Sequence, residues 1–158
     1  MSNWKKELKE SIEPSVNFSQ YDLQEIIEQA KEYKACKMEI HNLEQFDSIK
    51  DASASLHAPF WCTWYAVHVI QGRWREAEHI IMKNASDAYT YTRTVIKKRW
   101  IEAEPIIMKN AGYAYQYSCF AIKERWLEAE PFIAKDFYWK REYERYFDCK
   151  IFLLEKRI

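Results

Sequence analysis

RWREAEHIIMKNASDAYTYTRTVIKK (residues 73–98) runs directly into RWIEAEPIIMKNAGYAYQYSCFAIKE (99–124). The two stretches agree at 16 of 26 positions, so one is a copy of the other. A third copy, 125–150, agrees with the second at 9 of 26, and most differences fall in its second half. A partial copy precedes them: WYAVHVIQGRW (64–74) lies in register with TYTRTVIKKRW (90–100). A repeat of this length has to be read before anything else, because it decides the architecture.

Each copy reads as a short helix followed by a longer one. Glu102 and Glu104 stand where carboxylates favour a helix N-terminus. Pro105 belongs in a first turn, where its missing N–H costs nothing. The short helix runs through Ile106, Ile107 and Met108. Asn110 is a good N-cap for the next helix, as are Asn84 and Asp136 at the same place in their copies. The longer helix then shows Ala114, Tyr117, Ala121 and Ile122 on one face, and Ala88, Tyr91, Val95 and Ile96 do the same one copy earlier. Such a hairpin cannot bury its own apolar face, whereas stacked neighbours can. The expected fold is therefore all-α: tandem two-helix repeats of period 26, stacked as a short α-solenoid.

The ends should differ from the middle. Residues 1–55 do not repeat and are expected to form a mainly helical N-terminal cap. Within it, Ser19 is a candidate cap for a helix carrying Leu23, Ile26, Ile27, Ala30 and Tyr33, and Pro14 ends any earlier helix. Residues 38–50 are open between helix and short strand, and DASAS (51–55) reads as a joint. The repeat region follows: a partial unit at 58–72, units at 73–98, 99–124 and 125–150, and a tail to 158. In the third unit Lys140 and Arg141 replace Ala114 and Tyr115, and residues 136–156 are expected to form one longer capping helix with Tyr143, Phe147, Ile151 and Leu154 on one face. One compact domain is expected.

The bulk composition narrows the function classes. Glycine occurs only at 72 and 112, which disfavours hairpin-rich β folds and phosphate-cradling loops alike. There are 24 basic and 24 acidic residues, so no bulk nucleic-acid footprint exists. Residues 1–57 hold 7 Lys against 11 acids, leaving an excess of four positive charges in the rest. Cys36, Cys62, Cys119 and Cys149 are scattered without a CxxC, as in reduced cytosolic proteins. MSNWKKELKE has no apolar signal-type run and no segment approaches a membrane span, so a cytoplasmic location is expected.

The copies can be compared with one another. Kept in every full copy are Arg73/Arg99/Arg125, Trp74/Trp100/Trp126, Glu76/Glu102/Glu128, Glu78/Glu104/Glu130 and Tyr91/Tyr117/Tyr143, together with an Ala, an Ile and a Lys. One ligand seldom needs three equivalent sites, but a stacking contact needs one per unit. These positions are read as structural, with Trp, Ala, Ile and Tyr packing between units and Arg with Glu forming an ion ladder. The rival reading makes the aromatics, with Tyr89 and Tyr115, a stacking surface for nucleic-acid bases; the neutral charge speaks against it. The positions that vary are better candidates for a partner: Thr90, Arg93, Thr94, Gln116 and Phe120 on the longer helices, joined with Phe60, Trp61 and Trp64 from PFWCTW.

No motif for catalysis emerges. The Walker loop, the dinucleotide glycine fingerprint and HExxH are all missing. His57, Cys62 and His68, with Cys36 and His41, match no zinc-ligand spacing, and Cys62 reads as a small core residue. No local base accompanies a cysteine. Glu76 and Glu78, two apart on a helix, point to different sides. No metal, no cofactor and no enzymatic activity are expected.

At RWLEAEPFIAKD and IMKNAGYAYQYSCFAIKERW the chain resembles helical-repeat proteins of tailed bacteriophages and their hosts. Their units run close to Arg-Trp-x-Glu-Ala-Glu-Pro, Ile-Met-Lys-Asp/Asn, Ala-Tyr-x-Tyr-Ala and Val-Ile-Lys-Gly. The likeness covers residues 58–139. It departs at Lys98 and Glu124, where the unit's final Gly is replaced, so helix ends there are expected to be less sharply capped, and again at Ser118 and Cys119. The resemblance implies a phage-type helical repeat, no catalytic residues, and a binding role toward a bacterial host protein, plausibly a defence protein that it inhibits. A nucleic-acid binder or decoy is the alternative.

Overall fold

Asp22 caps the first helix described, α1 (Leu23–Glu32); its carboxylate accepts the N–H groups of Gln24 at 2.7 Å and Glu25 at 3.3 Å. The computed structural model describes residues 20–152, so Pro14 and the expected cap Ser19 lie outside the described residues. Leu23, Ile26, Ile27 and Ala30 are buried along α1, as the 3.6-residue periodicity predicts. The ambiguous stretch after it is helical: α2 spans Lys37–Leu43 and α3 spans Ile49–Ala54. DASAS is thus not a joint but mostly the body of α3. Ser48 fixes its start, accepting the Asp51 N–H at 3.2 Å and donating to the Asp51 carboxylate at 2.6 Å. No strand occurs among the described residues.

The repeat region alternates short and longer helices. α4 (Ala58–Tyr65) leads into a π-helical turn, Ala66–Ile70. α5 (Arg75–Ile81) precedes α6 (Ala85–Tyr91), which ends in the π turn Thr92–Ile96. A 3₁₀ turn, Ile101–Ala103, opens α7 (Glu104–Ile107). Then come α8 (Ala111–Tyr117) with the π turn Ser118–Ile122, α9 (Glu130–Ile133) and α10 (Phe137–Phe147). Asn84, Asn110 and Asp136 cap α6, α8 and α10 as expected, each accepting backbone N–H groups. Pro105 and Pro131 occupy first turns.

Thr92 and Ser118, where the π turns begin, lie four residues on from Ala88 and Ala114 and are buried with them beside Tyr91 and Tyr117. Their hydroxyls donate to the carbonyls of Ala88 and Ala114, each at 2.8 Å, which makes them tolerable inside. The turns close on Gln71, Lys97 and Lys123, all left-handed with φ of 53°, 56° and 62°. Gly72 has no positive φ, so the helix stop falls one residue before the glycine position. The replacements at Lys98 and Glu124 therefore do not blunt the caps, contrary to expectation.

The last helix departs from the expected 136–156. It stops at Phe147, and Asp148 turns the chain with φ 46°. Three residues on, Ile151 is buried to 1% exposure. Trp74, Trp100 and Trp126 likewise follow Gln71, Lys97 and Lys123 by three residues. Ile151 takes the corresponding place, with its N–H donated to the Glu144 carboxylate at 3.0 Å. Ile151 is thus buried after a turn of the chain and not as the next step of the helical stripe. Leu154 lies outside the described residues.

The core is a row of aromatic contacts. The rings of Tyr65 and Trp74 are 5.2 Å apart, those of Tyr91 and Trp100 5.3 Å, and those of Tyr117 and Trp126 5.1 Å, all tilted. Between them, Ala77, Ala103 and Ala129 and Ile81, Ile107 and Ile133 are fully buried. Each isoleucine contributes roughly 1.5–3 kcal/mol by leaving water.

Candidate functional site

Four of the residues kept in every copy, an Arg, a Trp, a Glu and a Tyr, join in a recurring clasp. Arg73 grips Glu78 with two parallel bonds of 2.8 and 2.7 Å. Tyr91 donates its hydroxyl to Glu78 at 3.1 Å and accepts the backbone N–H of Trp74 at 2.7 Å. The same set joins Arg99, Glu104, Tyr117 and Trp100, and again Arg125, Glu130, Tyr143 and Trp126. Burial pushes the three phenols above their ordinary range, so they stay protonated donors at any physiological pH. Glu78, Glu104 and Glu130 do this work. Glu76, Glu102 and Glu128 do not enter the clasp; Glu102 and Glu128 instead lend charge to Arg73 and Arg99 of the preceding copy. The ladder is thus mainly a set of pairs within copies, with a weaker link between them.

The variable residues divide among three places. Arg93 lies over the Phe120 ring, 4.8 Å from its centre, so two residues chosen for breaking the symmetry do meet. They line a concavity of about 220 Å³ with Tyr89, Thr92, Lys97, Lys98 and Ala121. Burial raises the Tyr89 phenol while Arg93 draws it back. Thr94 lines a neighbouring concavity of about 360 Å³ with Val67, Gln71, Val95 and Lys97, and donates its hydroxyl to the Thr90 carbonyl at 2.7 Å. Thr90 is exposed and Gln116 half-buried; neither lines either concavity.

Phe60, Trp61 and Trp64 sit elsewhere. They line an apolar concavity of about 50 Å³ with residues of α1 and α2, among them Ile26, Cys36, Glu39 and Ile40. Trp61 is only 3% exposed and offers no surface to a partner. Its place between α3 and the repeats follows from its ring, 5.9 Å from that of Trp74, and its indole N–H, which donates to the Ala52 carbonyl at 3.4 Å. No residue lines both this concavity and the Arg93–Phe120 one.

Neither Lys97 nor Lys98 is among the partner-binding candidates read from sequence, where Lys98 figures only as a replacement of the unit's final Gly. The signal was present: the two residues closing successive units read Gln71-Gly72, Lys97-Lys98, Lys123-Glu124 and Cys149-Lys150, so two positive charges adjoin in one copy only. Among the described residues neither lysine enters an ion pair.

The thiols suit packing. Burial pushes Cys62 well above the usual thiol range and raises Cys119 to about 11, so neither forms a thiolate near neutral pH. Among the described residues no three His, Cys, Asp or Glu side chains are placed to hold a metal ion, and no helix is long and apolar enough to cross a membrane. Compared with protein-family models, curated proteins and solved structures, the chain finds no match in any of the three.

Proposed function

We propose that this chain is a non-enzymatic protein-binding module, built as a short α-solenoid of 26-residue helical hairpins between two caps. One observation carries the reading. Arg, Trp, Tyr and one Glu of the residues identical in every copy are spent on the clasp, while Arg93, Phe120 and Lys98, which break the repeat, gather with Lys97 around one exposed concavity. A scaffold made of equal parts can recognise one partner only where its parts differ. Exposed Arg and aromatic side chains are the groups that carry most of the energy of protein interfaces.

The resemblance to phage repeat proteins supplies the class of partner: a protein of the bacterial host, met in the cytoplasm of the infected cell and inhibited by occlusion. Capture from bacterial lysate tests this. The chain should retain one protein in stoichiometric amount, and Arg93→Glu with Phe120→Ala should cut that retention by about tenfold or more at unchanged helix content. Undiminished retention by the double variant discards the surface. Failure of the unaltered chain to retain any protein discards the binding role.

A further inference from the structure

The concavity around Arg93 also has a chemistry. Three cationic side chains, Arg93, Lys97 and Lys98, line it, and no carboxylate does. Its apolar part is Phe120, 53% exposed, with Ala121 and the buried ring of Tyr89. Arg93 is already oriented by its contact with Phe120, so less side-chain freedom is lost when an anion arrives. The end of the helix below carries roughly half a negative charge. One lysine offsets that, and the other two cations remain in excess.

We infer that this concavity binds a short acidic segment of a partner protein, with carboxylates at Arg93, Lys97 and Lys98 and an aromatic or aliphatic side chain against Phe120. This rests on the reading that a protein partner is engaged on this face. The extent of the charge decides between a peptide and a nucleic acid. In the next copy the counterparts of Arg93, Lys97 and Lys98 are Cys119, Lys123 and Glu124; in the preceding one they are Val67, Gln71 and Gly72. Three cations thus meet in one repeat only, over about the 10 Å spacing of packed helices. That length matches about three extended residues. A nucleic acid carries its charge on along the strand and would meet Glu124 beyond the patch. A peptide with two or three carboxylates fits the patch and ends there.

Amide NMR of the full chain, titrated to about 5 mM ligand, reads even weak binding of this kind. The probe is acetyl-Asp-Glu-Phe-Asp-Glu-amide. Its neutral counterpart, acetyl-Asn-Gln-Phe-Asn-Gln-amide, and an oligothymidine are the controls. The acidic peptide should shift the amides of Lys97, Lys98 and Phe120 saturably, and the neutral peptide should bind about tenfold more weakly or worse. Lys97→Gly with Lys98→Glu should abolish the shifts; glycine suits the left-handed backbone at 97, so this variant keeps its fold. Absence of saturable shifts, equal binding of the neutral peptide, or shifts confined to another surface overturns the assignment. Tighter saturation of the same amides by oligothymidine overturns it in favour of nucleic acid. A failed peptide titration alongside lysate retention that still depends on Arg93 and Phe120 refutes the acidic chemistry alone. Loss of retention from the unaltered chain refutes the protein-binding reading beneath it.

Discussion

The hydroxyl of Tyr117 accepts the backbone N–H of Trp100 at 2.6 Å, closing a gap of seventeen residues between the start of one hairpin and the end of its long helix. Trp100 heads a helix whose first N–H groups have no helical partner. The phenol supplies that partner from inside the core, and Glu104 with Arg99 holds the phenol in place.

Tyr117→Phe therefore leaves a buried N–H unpaired and should cost about 2 kcal/mol. Tyr65 is the informative control. It occupies the same place in the partial unit, but its hydroxyl donates to Gln29 of α1, and the counterparts of Trp74, Arg73 and Glu78 there are Ser48, Asp47 and Ala52. Gln29 is exposed enough to turn to water, so Tyr65→Phe should cost less than about 1 kcal/mol. Urea unfolding midpoints compare the two. Equal losses would deny the clasp its place in the fold.

Lys97 and Lys123 hold a left-handed backbone in which a Cβ is strained by roughly 1–2 kcal/mol. Glycine has no such penalty but gives more freedom to the unfolded chain. Lys97→Gly and Lys123→Gly should each stabilise by about 0.5–1 kcal/mol, read as a raised thermal midpoint. Gly72→Ala should change little. A Cβ there meets nothing nearer than 3.8 Å, and no left-handed angle has to be kept.

Gly112 is constrained by space and not by angle. A Cβ on it would come within 2.8 Å of the Trp139 indole, packed against it from α10. Gly112→Ala gains about 1 kcal/mol of helix propensity and loses a similar amount to that clash, so its net effect should be small. Gly112→Val forces the indole aside with little propensity gain and should cost about 2 kcal/mol. A Gly112→Val protein as stable as the parent would show that Trp139 is free to move.

The helical class was legible in the sequence because scarce glycine, the Asn and Asp caps and the 3.6-residue stripes all pointed one way. The residues of the clasp were legible as a set, since Arg, Trp, Glu and Tyr recur together. Their bonding was not: periodicity says that Tyr117 is inside but not that its hydroxyl reaches a backbone N–H. Thr92 and Ser118 were missed because they are polar. Each lies four residues on from a buried alanine, on the inward face, but an apolar stripe does not count a hydroxyl whose partner is the carbonyl one turn back. The end at Phe147 was missed because Tyr143, Phe147 and Ile151 obey helical spacing while the chain between them bends. At the candidate site, Arg93 and Phe120 could be chosen as symmetry breakers. Lys97 and Lys98 could not be ranked above other surface lysines without seeing that they share a wall.

Among the described residues Asp87 is the carboxylate whose charge its surroundings oppose most clearly. It stands in the first turn of α6, where Trp61, Tyr113 and Trp139 occupy the corresponding places in other units. Burial raises it from its ordinary 3.8 to about 6, and the charge of Glu39 on α2 adds to the shift. Glu39 itself has an oxygen in the interior with no hydrogen-bond partner, and the buried thiol of Cys62 and the ammonium of Lys83 are the other titratable groups close by. The folded protein thus binds the Asp87 proton more readily than the unfolded chain does. Above pH 6 both states are ionised and the folded state carries the full penalty. As pH falls through 6 the folded state is relieved first, and stability rises until the unfolded chain also protonates near 3.8. Solvent screening around this partly exposed group reduces the gain to about 1 kcal/mol. Glu44 and Glu144 are shifted down by Lys31 and by the Ile151 N–H respectively, so their stabilisation is lost only below their ordinary 4.5. Between pH 7 and pH 5 the urea midpoint should rise, and the contribution of Asp87 is read as the difference between the parent and Asp87→Asn, which should flatten the rise. Glu39→Gln should leave a smaller rise, because burial remains the larger cause. An Asp87→Asn protein whose midpoint tracks the parent from pH 7 to pH 5 would mean that the carboxylate is solvated at this junction between the cap and the repeats.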